Sequence, residues 1–155
     1  MKKMTKDNFA LTAYCGVYCA DCLHYRNRHS KLAGNLKREL EISGFNQYAQ
    51  VESPFGEVFK HYNEFIKVLD ALANHYCASP CRVSGGCSTS GCAIIKCCRD
   101  NGYAGCWECR HFEKCDKLSI LEPRCGDMPV NNLRKIRTLG PNNWAEHRQK
   151  FYIWM

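Results

Sequence analysis

Apolar residues recur at helical spacing through the first half of the chain. Leu32, Leu36 and Leu40 lie four residues apart and Ser43-Gly44 supplies a stop, so the pattern predicts a helix over residues 25–42. A second helix is predicted after Ser53-Pro54, a capping residue followed by proline, and extends to about residue 75. The residues of its apolar face, expected to pack in the core, are Val58, Tyr62, Phe65, Ile66, Leu69, Leu72 and Ala73.

The second half of the chain has a different pattern. Residues 77–91 are rich in Pro, Ser, Gly and Cys, which predicts an irregular loop. Helices are predicted over 92–99, stopped by Asn101-Gly102; over about 108–118; from Asn131 or Asn132 to Leu139, stopped by Gly140; and over 141–152, opened by Pro141. Strand signals are weak throughout. The expected fold is mainly α, a small single domain over 1–155 whose cysteine-rich loops are organised by metal.

Cysteine is the outlier in the composition. The chain has 13 cysteines in 155 residues, whereas 45% hydrophobic and 24% charged residues are typical of a soluble globular protein. A secreted disulfide scaffold is not favoured, because the number is odd and no cysteine lies between Cys22 and Cys77. The apolar stretch near the start is interrupted by Thr12 and Tyr14 and lacks a small-residue cleavage site. Reduced thiols, a cytoplasmic location and no membrane span are therefore expected.

The formal charge of +7 does not by itself indicate a nucleic-acid partner. A divalent ion held by four thiolates carries a net charge of −2, so two such sites would lower the total to about +3. Basic residues are scattered along the chain, and the densest group, Arg134 to Arg137, is interrupted by Ile136. A solvated helix face explains that group more simply, so nucleic-acid binding is not expected.

Two short segments are near copies of each other, Cys19-Ala-Asp-Cys22-Leu-His-Tyr25 and Cys106-Trp-Glu-Cys109-Arg-His-Phe112. Each offers two thiolates from one tight turn, an arrangement that holds structural zinc. Each pair is expected where a loop turns into a helix, whose N-terminus favours the thiolate. Asp21 and Glu108 are then helix caps. One expected four-thiolate site consists of Cys19, Cys22, Cys106 and Cys109.

The remaining clustered cysteines supply a second expected site, formed by Cys87, Cys92, Cys97 and Cys115. Cys15 is able to substitute in either site, and spacing alone leaves the grouping open. His24 and His111 each follow a Cys-x2-Cys turn; hydrogen bonding to the ligands is expected for them, with ligation as the alternative. The thiols expected to bind no metal are Cys77, Cys81, Cys125 and Cys98, the last beside a liganding neighbour.

Three segments resemble those of one family. They are Ala13-Tyr-Cys15-Gly-Val-Tyr-Cys19-Ala-Asp-Cys22, then Gly86-Cys87 with Cys92-Ala-Ile-Ile-Lys-Cys97, then Gly102 to Leu118. In order and type they resemble small, cysteine-rich prokaryotic proteins catalogued as a domain of unknown function and thought to bind metal. The likeness covers about residues 12–118, and Asn132-Leu-Arg-Lys-Ile136 through Gly140 and Trp144, within the C-terminal helices predicted over 131–152, resembles the family's tail. The resemblance implies metal ligands at Cys15, Cys19, Cys22, Cys87, Cys92, Cys97, Cys106, Cys109 and Cys115, and no particular reaction.

The leading functional hypothesis is a non-enzymatic, zinc-stabilised cytoplasmic protein that binds an unknown protein or small ligand. The alternative is an iron–sulfur redox or electron-transfer protein with a 4Fe–4S cluster, which clustered cysteines would also serve. Cys15, Cys19 and Cys22 have the spacing of radical SAM enzymes, but the strand–helix alternation of that barrel does not follow. A hydrolase or lyase with catalytic zinc is a further alternative, although no acid–base pair has telling spacing.

Overall fold

The computed structural model describes residues 8–51, 56–84 and 91–153. These ranges contain α-helices and 3₁₀ turns and no β-strand, apart from an isolated antiparallel bridge between Thr12 and Tyr18. The prediction of a mainly α fold is confirmed. No helix of the described ranges is long and apolar enough to cross a membrane.

Contacts divide the chain into two compact units. One, here the thiol unit, combines residues 1–26 with residues 77–155; the other, the inserted unit, consists of residues 27–76. Every cysteine that the structure describes belongs to the thiol unit. The prediction of a single domain over 1–155 stays a prediction.

Short elements make up most of the structure. In chain order the α-helices are α1 (Asn8–Leu11), α2 (Leu23–Arg26), α3 (Arg28–Ile42), α4 (Phe45–Ala49), α5 (Tyr62–Ala73), α6 (Cys81–Ser84), α7 (Ala93–Asp100), α8 (Glu122–Cys125) and α9 (Met128–Leu139). The 3₁₀ segments are Cys19–Asp21, Glu57–His61, Cys106–Glu108, Phe112–Lys114, Asp116–Leu121 and Trp144–His147.

In the inserted unit, α3 packs against α5. The helix predicted over 25–42 is broken at Asn27, whose left-handed φ of 55° separates α2 from α3. Its end is as predicted, because Ser43 is the C-cap and Gly44 adopts a φ of 66°, which suits glycine. The sequence therefore predicts where α3 stops but not where it starts.

The predicted apolar face of α5 is only partly buried. The start predicted at Ser53-Pro54 lies outside the described residues, and a 3₁₀ turn over Glu57–His61 precedes α5. Leu69 is buried, as predicted. Core packing is wrong for Val58, Phe65 and Leu72, which are exposed, because a pair of helices buries only the stripe along which they meet.

The core of the thiol unit lies around α9 and Trp144. Leu133, Ile136 and Trp144 are buried there, in one apolar cluster. α9 begins at Met128, earlier than predicted, because Pro129 occupies its first turn, where proline is favoured. It ends before Gly140, as predicted.

Two of the other predicted helices are replaced by shorter segments. Residues 108–118 form separate 3₁₀ turns, because Cys109 and Cys115 have extended backbones, with ψ of 131° and 111°, that interrupt a helix. Residues 141–152 contain one 3₁₀ turn, Trp144–His147, and continue without regular structure. By contrast, the helix predicted over 92–99 is α7, and the chain turns beyond it at Gly102 with a φ of 68°.

Candidate metal centre

The two repeated segments adopt the same backbone conformation. In each, the first cysteine opens a 3₁₀ turn, and the backbone N–H of Cys22 or Cys109 donates to the carbonyl of Cys19 or Cys106 at 3.0 Å. The φ and ψ angles are −74° and 131° at Cys22, and −73° and 131° at Cys109. The sequence repeat is therefore also a structural repeat.

The first cysteine of each turn is buried and meets a thiol from another helix. Cys106 contacts Cys98 of α7, with 3.7 Å between the two sulfur atoms. The thiol of Cys81, the first residue of α6, lies close enough to that of Cys19 to raise its pKa. These contacts define two thiol pairs, pair A (Cys19 and Cys81) and pair B (Cys98 and Cys106).

In each pair the two thiols shift each other's pKa in opposite directions. The nearby thiol of Cys81, together with burial, raises the pKa of Cys19, and the thiol of Cys19 lowers the pKa of Cys81 to about 6. In pair B the hydrogen bond raises the pKa of Cys106 and lowers that of Cys98. Each pair thus favours one thiolate, the form of cysteine that binds metal.

Further cysteines lie near pair A. The backbone N–H of Cys77 donates to the carbonyl of His24 at 2.9 Å, which holds Cys77 beside the Cys19–Cys22 turn. Burial raises the pKa of Cys77, and the neighbouring charges of Cys22 and Cys81 add to that effect. The surroundings of pair A are therefore rich in thiols.

Pair B has its own neighbours. Besides its bond with Cys98 and its burial, charges on Cys15 and Cys115 raise the pKa of Cys106. The backbone N–H of His111 donates to the sulfur of Cys109 at 3.4 Å. Hydrogen bonding of a ligand by the imidazole of His111 stays a prediction. The backbone N–H of Cys106 donates to the carbonyl of Tyr14 at 2.9 Å, so the backbone beside Cys15 is tied to pair B.

Arg82, the residue after Cys81, is held within the thiol unit by backbone carbonyls and aromatic rings. Its Nε donates to the carbonyl of Thr12 at 2.5 Å and its Nη1 to that of Ala104 at 2.7 Å. The guanidinium lies 4.2 Å from the ring centre of Phe9 and 5.1 Å from that of Trp107. Such cation–π contacts stabilise a cation that has lost water.

Within the described part of the chain, no carboxylate pairs with Arg82. Burial lowers its pKa, while charges on Tyr14 and on the thiols of both pairs oppose that change. Its Nη2 is buried without a hydrogen-bond partner in the same ranges. A partly buried cation is stabilised by a nearby anion, and cysteines of pairs A and B lie near enough to supply one when deprotonated.

Two further arginines hold the repeated turns. Arg148 binds the carboxylate of Asp21 with two hydrogen bonds of 2.5 and 3.0 Å and lies over the ring of Tyr18. Arg137 donates to the carbonyls of Trp107 at 2.8 Å and Cys109 at 2.6 Å. The C-terminal part of the chain therefore fixes both turns through arginine.

The predicted capping role of the two acids is wrong for Asp21 and differs in detail for Glu108. Asp21 ends its turn rather than starting a helix, and its carboxylate is occupied by Arg148. Glu108 likewise ends its turn, and its carboxylate accepts the backbone N–H of Ala104 at 2.7 Å. Neither acid caps a helix, because no helix begins within either turn. Each acid instead holds its turn through its carboxylate.

The structure pairs the cysteines differently from the predicted grouping. Cys19 and Cys106 were expected to share a site, but each meets a thiol that was expected to bind no metal. Cys98 had a recognisable signal, since it lies four residues after the buried Ile94 on the inner face of α7. Cys81 had a weaker one, the same C-x3-C spacing from Cys77 that separates Cys15 from Cys19.

Two other predicted ligands, Cys92 and Cys97, belong to neither thiol pair. Cys92 is the N-cap of α7, and Cys97 lies within that helix, where the amide of Asn101 approaches its sulfur at 3.9 Å. Cys87 lies outside the described residues. As placed, no three His, Cys, Asp or Glu side chains of the described ranges converge as a metal site would require, so Cys15, Cys19 and Cys22 do not form a three-cysteine cluster.

The sulfur spacing of pair B nevertheless matches two ligands of one zinc ion. Zinc–sulfur bonds of about 2.3 Å at tetrahedral angles separate neighbouring sulfur atoms by about 3.8 Å. The 3.7 Å between the sulfurs of Cys98 and Cys106 agrees with that edge. Cysteine thiolates are also the donors that structural zinc prefers.

The fold and the thiol pairs define a helical, cysteine-rich protein whose thiols are gathered in one unit. The chain belongs to the family described as "Protein of unknown function (DUF3795)", whose model matches residues 11–120. This confirms the resemblance identified from the sequence. Comparison with curated proteins and with solved structures gave no match.

Proposed function

We propose that the protein is a zinc-stabilised cytoplasmic protein with a binding or interaction role, and that it is not an enzyme. The observation that carries the proposal is the 3.7 Å separation of the Cys98 and Cys106 sulfurs, which suits two ligands of one tetrahedral zinc ion. Zinc bound there would join the Cys106 turn to α7. The free energy of metal binding would then contribute directly to the stability of the thiol unit.

The environment of Arg82 supports the same proposal. A zinc ion with four thiolates carries a net charge of −2, and a partly buried guanidinium that no described carboxylate pairs with would offset part of it. Negative charge on thiols of pair A and of pair B raises the pKa of Arg82. One arginine would therefore compensate metal bound at either pair.

The interaction role is supported by the inserted unit. Leu32, Val58 and Val68 are each more than half exposed there, at 66%, 69% and 59%. These side chains are proposed as contact points for a partner, since contiguous apolar surface marks interaction sites. The partner is proposed as a protein or a small ligand.

Metal analysis of protein purified without a polyhistidine tag, in air and under nitrogen, tests the zinc proposal. We expect colourless protein with about two zinc ions per chain. Chelation is expected to reduce the helical circular dichroism signal, because the thiol unit loses its metal. Returning zinc restores the signal; magnesium, which prefers oxygen ligands, is the matched control and does not.

Two results of that analysis contradict the proposal. Protein that contains neither zinc nor iron has no metal-organised fold. Brown protein with iron and acid-labile sulfide under nitrogen assigns an iron–sulfur cluster to the same thiols, and the alternative redox or electron-transfer function then replaces the zinc proposal.

A further inference from the structure

We propose that Cys77 and Cys81 complete a four-thiolate zinc site with Cys19 and Cys22. This inference rests on the proposed zinc function and adds to it a specific site. It assigns ligand roles to two cysteines that neither the repeated motif nor the resemblance to the family includes. It also makes this site separate from the metal at pair B.

The first argument is that the four cysteines lie on two backbone segments joined by hydrogen bonds. Cys22 is hydrogen-bonded to Cys19 within their turn, and Cys77 is hydrogen-bonded to the carbonyl of His24 just beyond that turn. Across the two segments, the thiol of Cys81 lies close to that of Cys19. Each segment thus contributes two thiols, as in zinc sites built from two short-spaced cysteine pairs.

The second argument is that Cys81 is fixed in position by its neighbour. Arg82 donates to the carbonyls of Thr12 and Ala104, so the start of α6 is held against the thiol unit. Cys81 is consequently positioned before any metal binds. Preorganisation of this kind lowers the cost of ordering a site when the metal arrives.

The remaining two thiols need a local side-chain movement. The sulfur of Cys77 now donates to the carbonyl of Ser79 at 2.8 Å. When zinc binds, the Cys77 thiol releases its proton to solvent and loses its hydrogen bond to Ser79, and the sulfur bonds to zinc instead. The hydrogen bond from the Cys77 backbone N–H to the carbonyl of His24 remains. Cys22 is only partly buried, so its side chain has room to rotate.

The structure also offers a competing ligand, Cys125. It is buried in a separate small cluster with Met128 and Tyr152, and the charge of Cys22 contributes to the rise in its pKa, which burial dominates. Cys77 is favoured because a hydrogen bond ties its backbone to the turn segment. Cys125 therefore serves as the matched control.

Zinc content of purified variants tests the site. Relative to wild type, Cys77→Ser and Cys81→Ser are each expected to lose one zinc ion per chain. Cys125→Ser is expected to keep the wild-type content, whereas Cys98→Ser loses the other zinc and the Cys77→Ser/Cys98→Ser double variant loses both. Cys77→His is expected to keep its zinc, because imidazole is also a good zinc ligand.

Alkylation of the wild-type protein gives the same answer without relying on variants that fold. Mass spectrometry is expected to show Cys22, Cys77 and Cys81 protected from iodoacetamide in zinc-loaded protein and modified together after chelation. Rapid modification of Cys77 in zinc-loaded protein would overturn the inference, as would unchanged zinc content in Cys77→Ser and Cys81→Ser. If the wild type itself holds neither zinc nor iron, the proposed function fails instead, so the two failures are distinguishable.

Discussion

Trp144 donates its indole N–H to the hydroxyl of Thr12 at 2.8 Å, and both side chains are fully buried. The ring of Tyr18 stands edge-on to Trp144, with 5.8 Å between ring centres. This contact connects the segment that leads into the first cysteines with the C-terminal part of the chain. The hydrogen bond is polar and dry, so its loss is costly.

Replacement of Thr12 by valine is expected to lower the free energy of unfolding by about 1–3 kcal/mol, because the buried indole N–H loses its acceptor. Thr12→Ser keeps the hydroxyl and is expected to cost less. Thr138→Val, which removes an exposed hydroxyl bonded to the carbonyl of Arg134, is the matched control. Urea denaturation followed by tryptophan fluorescence measures all three. Equal losses for the two valine variants would contradict the importance of the buried bond.

Alanine substitutions at two glycines are expected to have opposite effects. Gly16 has a φ of 86°, and a Cβ there would lie 2.5 Å from the carbonyl oxygen of Pro129. Gly16→Ala is therefore expected to destabilise the protein by at least about 2 kcal/mol.

Gly34 provides the comparison, because it lies inside α3 and a Cβ there would meet nothing within 4 Å. Gly34→Ala is expected to stabilise by about 0.5–1 kcal/mol, since alanine loses less conformational entropy in a helix. Thermal melts of the two variants measure the difference. A neutral Gly16→Ala would mean that the turn beside α9 relaxes freely.

The ion pair between Asp21 and Arg148 is expected to be strongly coupled. Its side chains are 14% and 17% exposed and share two hydrogen bonds. A double-mutant cycle with Asp21→Asn and Arg148→Gln is expected to give a coupling free energy of about 1.5–3 kcal/mol. The exposed pair of Lys96 and Asp100 on α7 is the control and should show no such coupling. A coupling as small as that of the control would show that solvent screens the buried pair as well.

Replacement of Arg82 by methionine is expected to lower the free energy of unfolding by about 2–4 kcal/mol, because the carbonyls of Thr12 and Ala104 lose their donor. The same variant is expected to release zinc at a lower chelator concentration, since the positive charge between the thiol pairs is gone. Arg99→Met, at an exposed position of α7, controls for the loss of a surface arginine. Unchanged zinc retention in Arg82→Met would mean that Arg82 serves packing alone.

Local signals in the sequence predict several features of the fold. The ends of α3, α7 and α9 are predicted correctly because each is followed by a glycine with positive φ, at Gly44, Gly102 and Gly140, and the need for such a residue is local. The failures have non-local causes. Asn132, expected near a helix start, lies inside α9, where its amide bonds the backbone of Gln149.

In the candidate site, too, local features are predictable from the sequence and long-range contacts are not. The repeated Cys-x2-Cys segments are recognisable because a turn is local, and the structure gives both turns the same shape. The partners of those turns are not recognisable by spacing, because Cys81 and Cys98 come from separate helices brought in by the core. Arg82 was missed for a related reason: its contacts lie far along the chain at Thr12 and Ala104, and no motif marks it.

The hydrogen bond between the backbone N–H of Cys77 and the carbonyl of His24 bears on how far residues 27–76 can change in length. The bond joins the two chain segments that flank residues 27–76, so the two ends of that stretch lie close together. Zinc shared by Cys22 and Cys77 would act as a cross-link there and remove about 4 kcal/mol of loop-closure entropy from the unfolded chain. Doubling the loop would change that entropy by only about 0.6 kcal/mol. Lengthening or shortening residues 27–76 is therefore expected to leave the thiol unit folded.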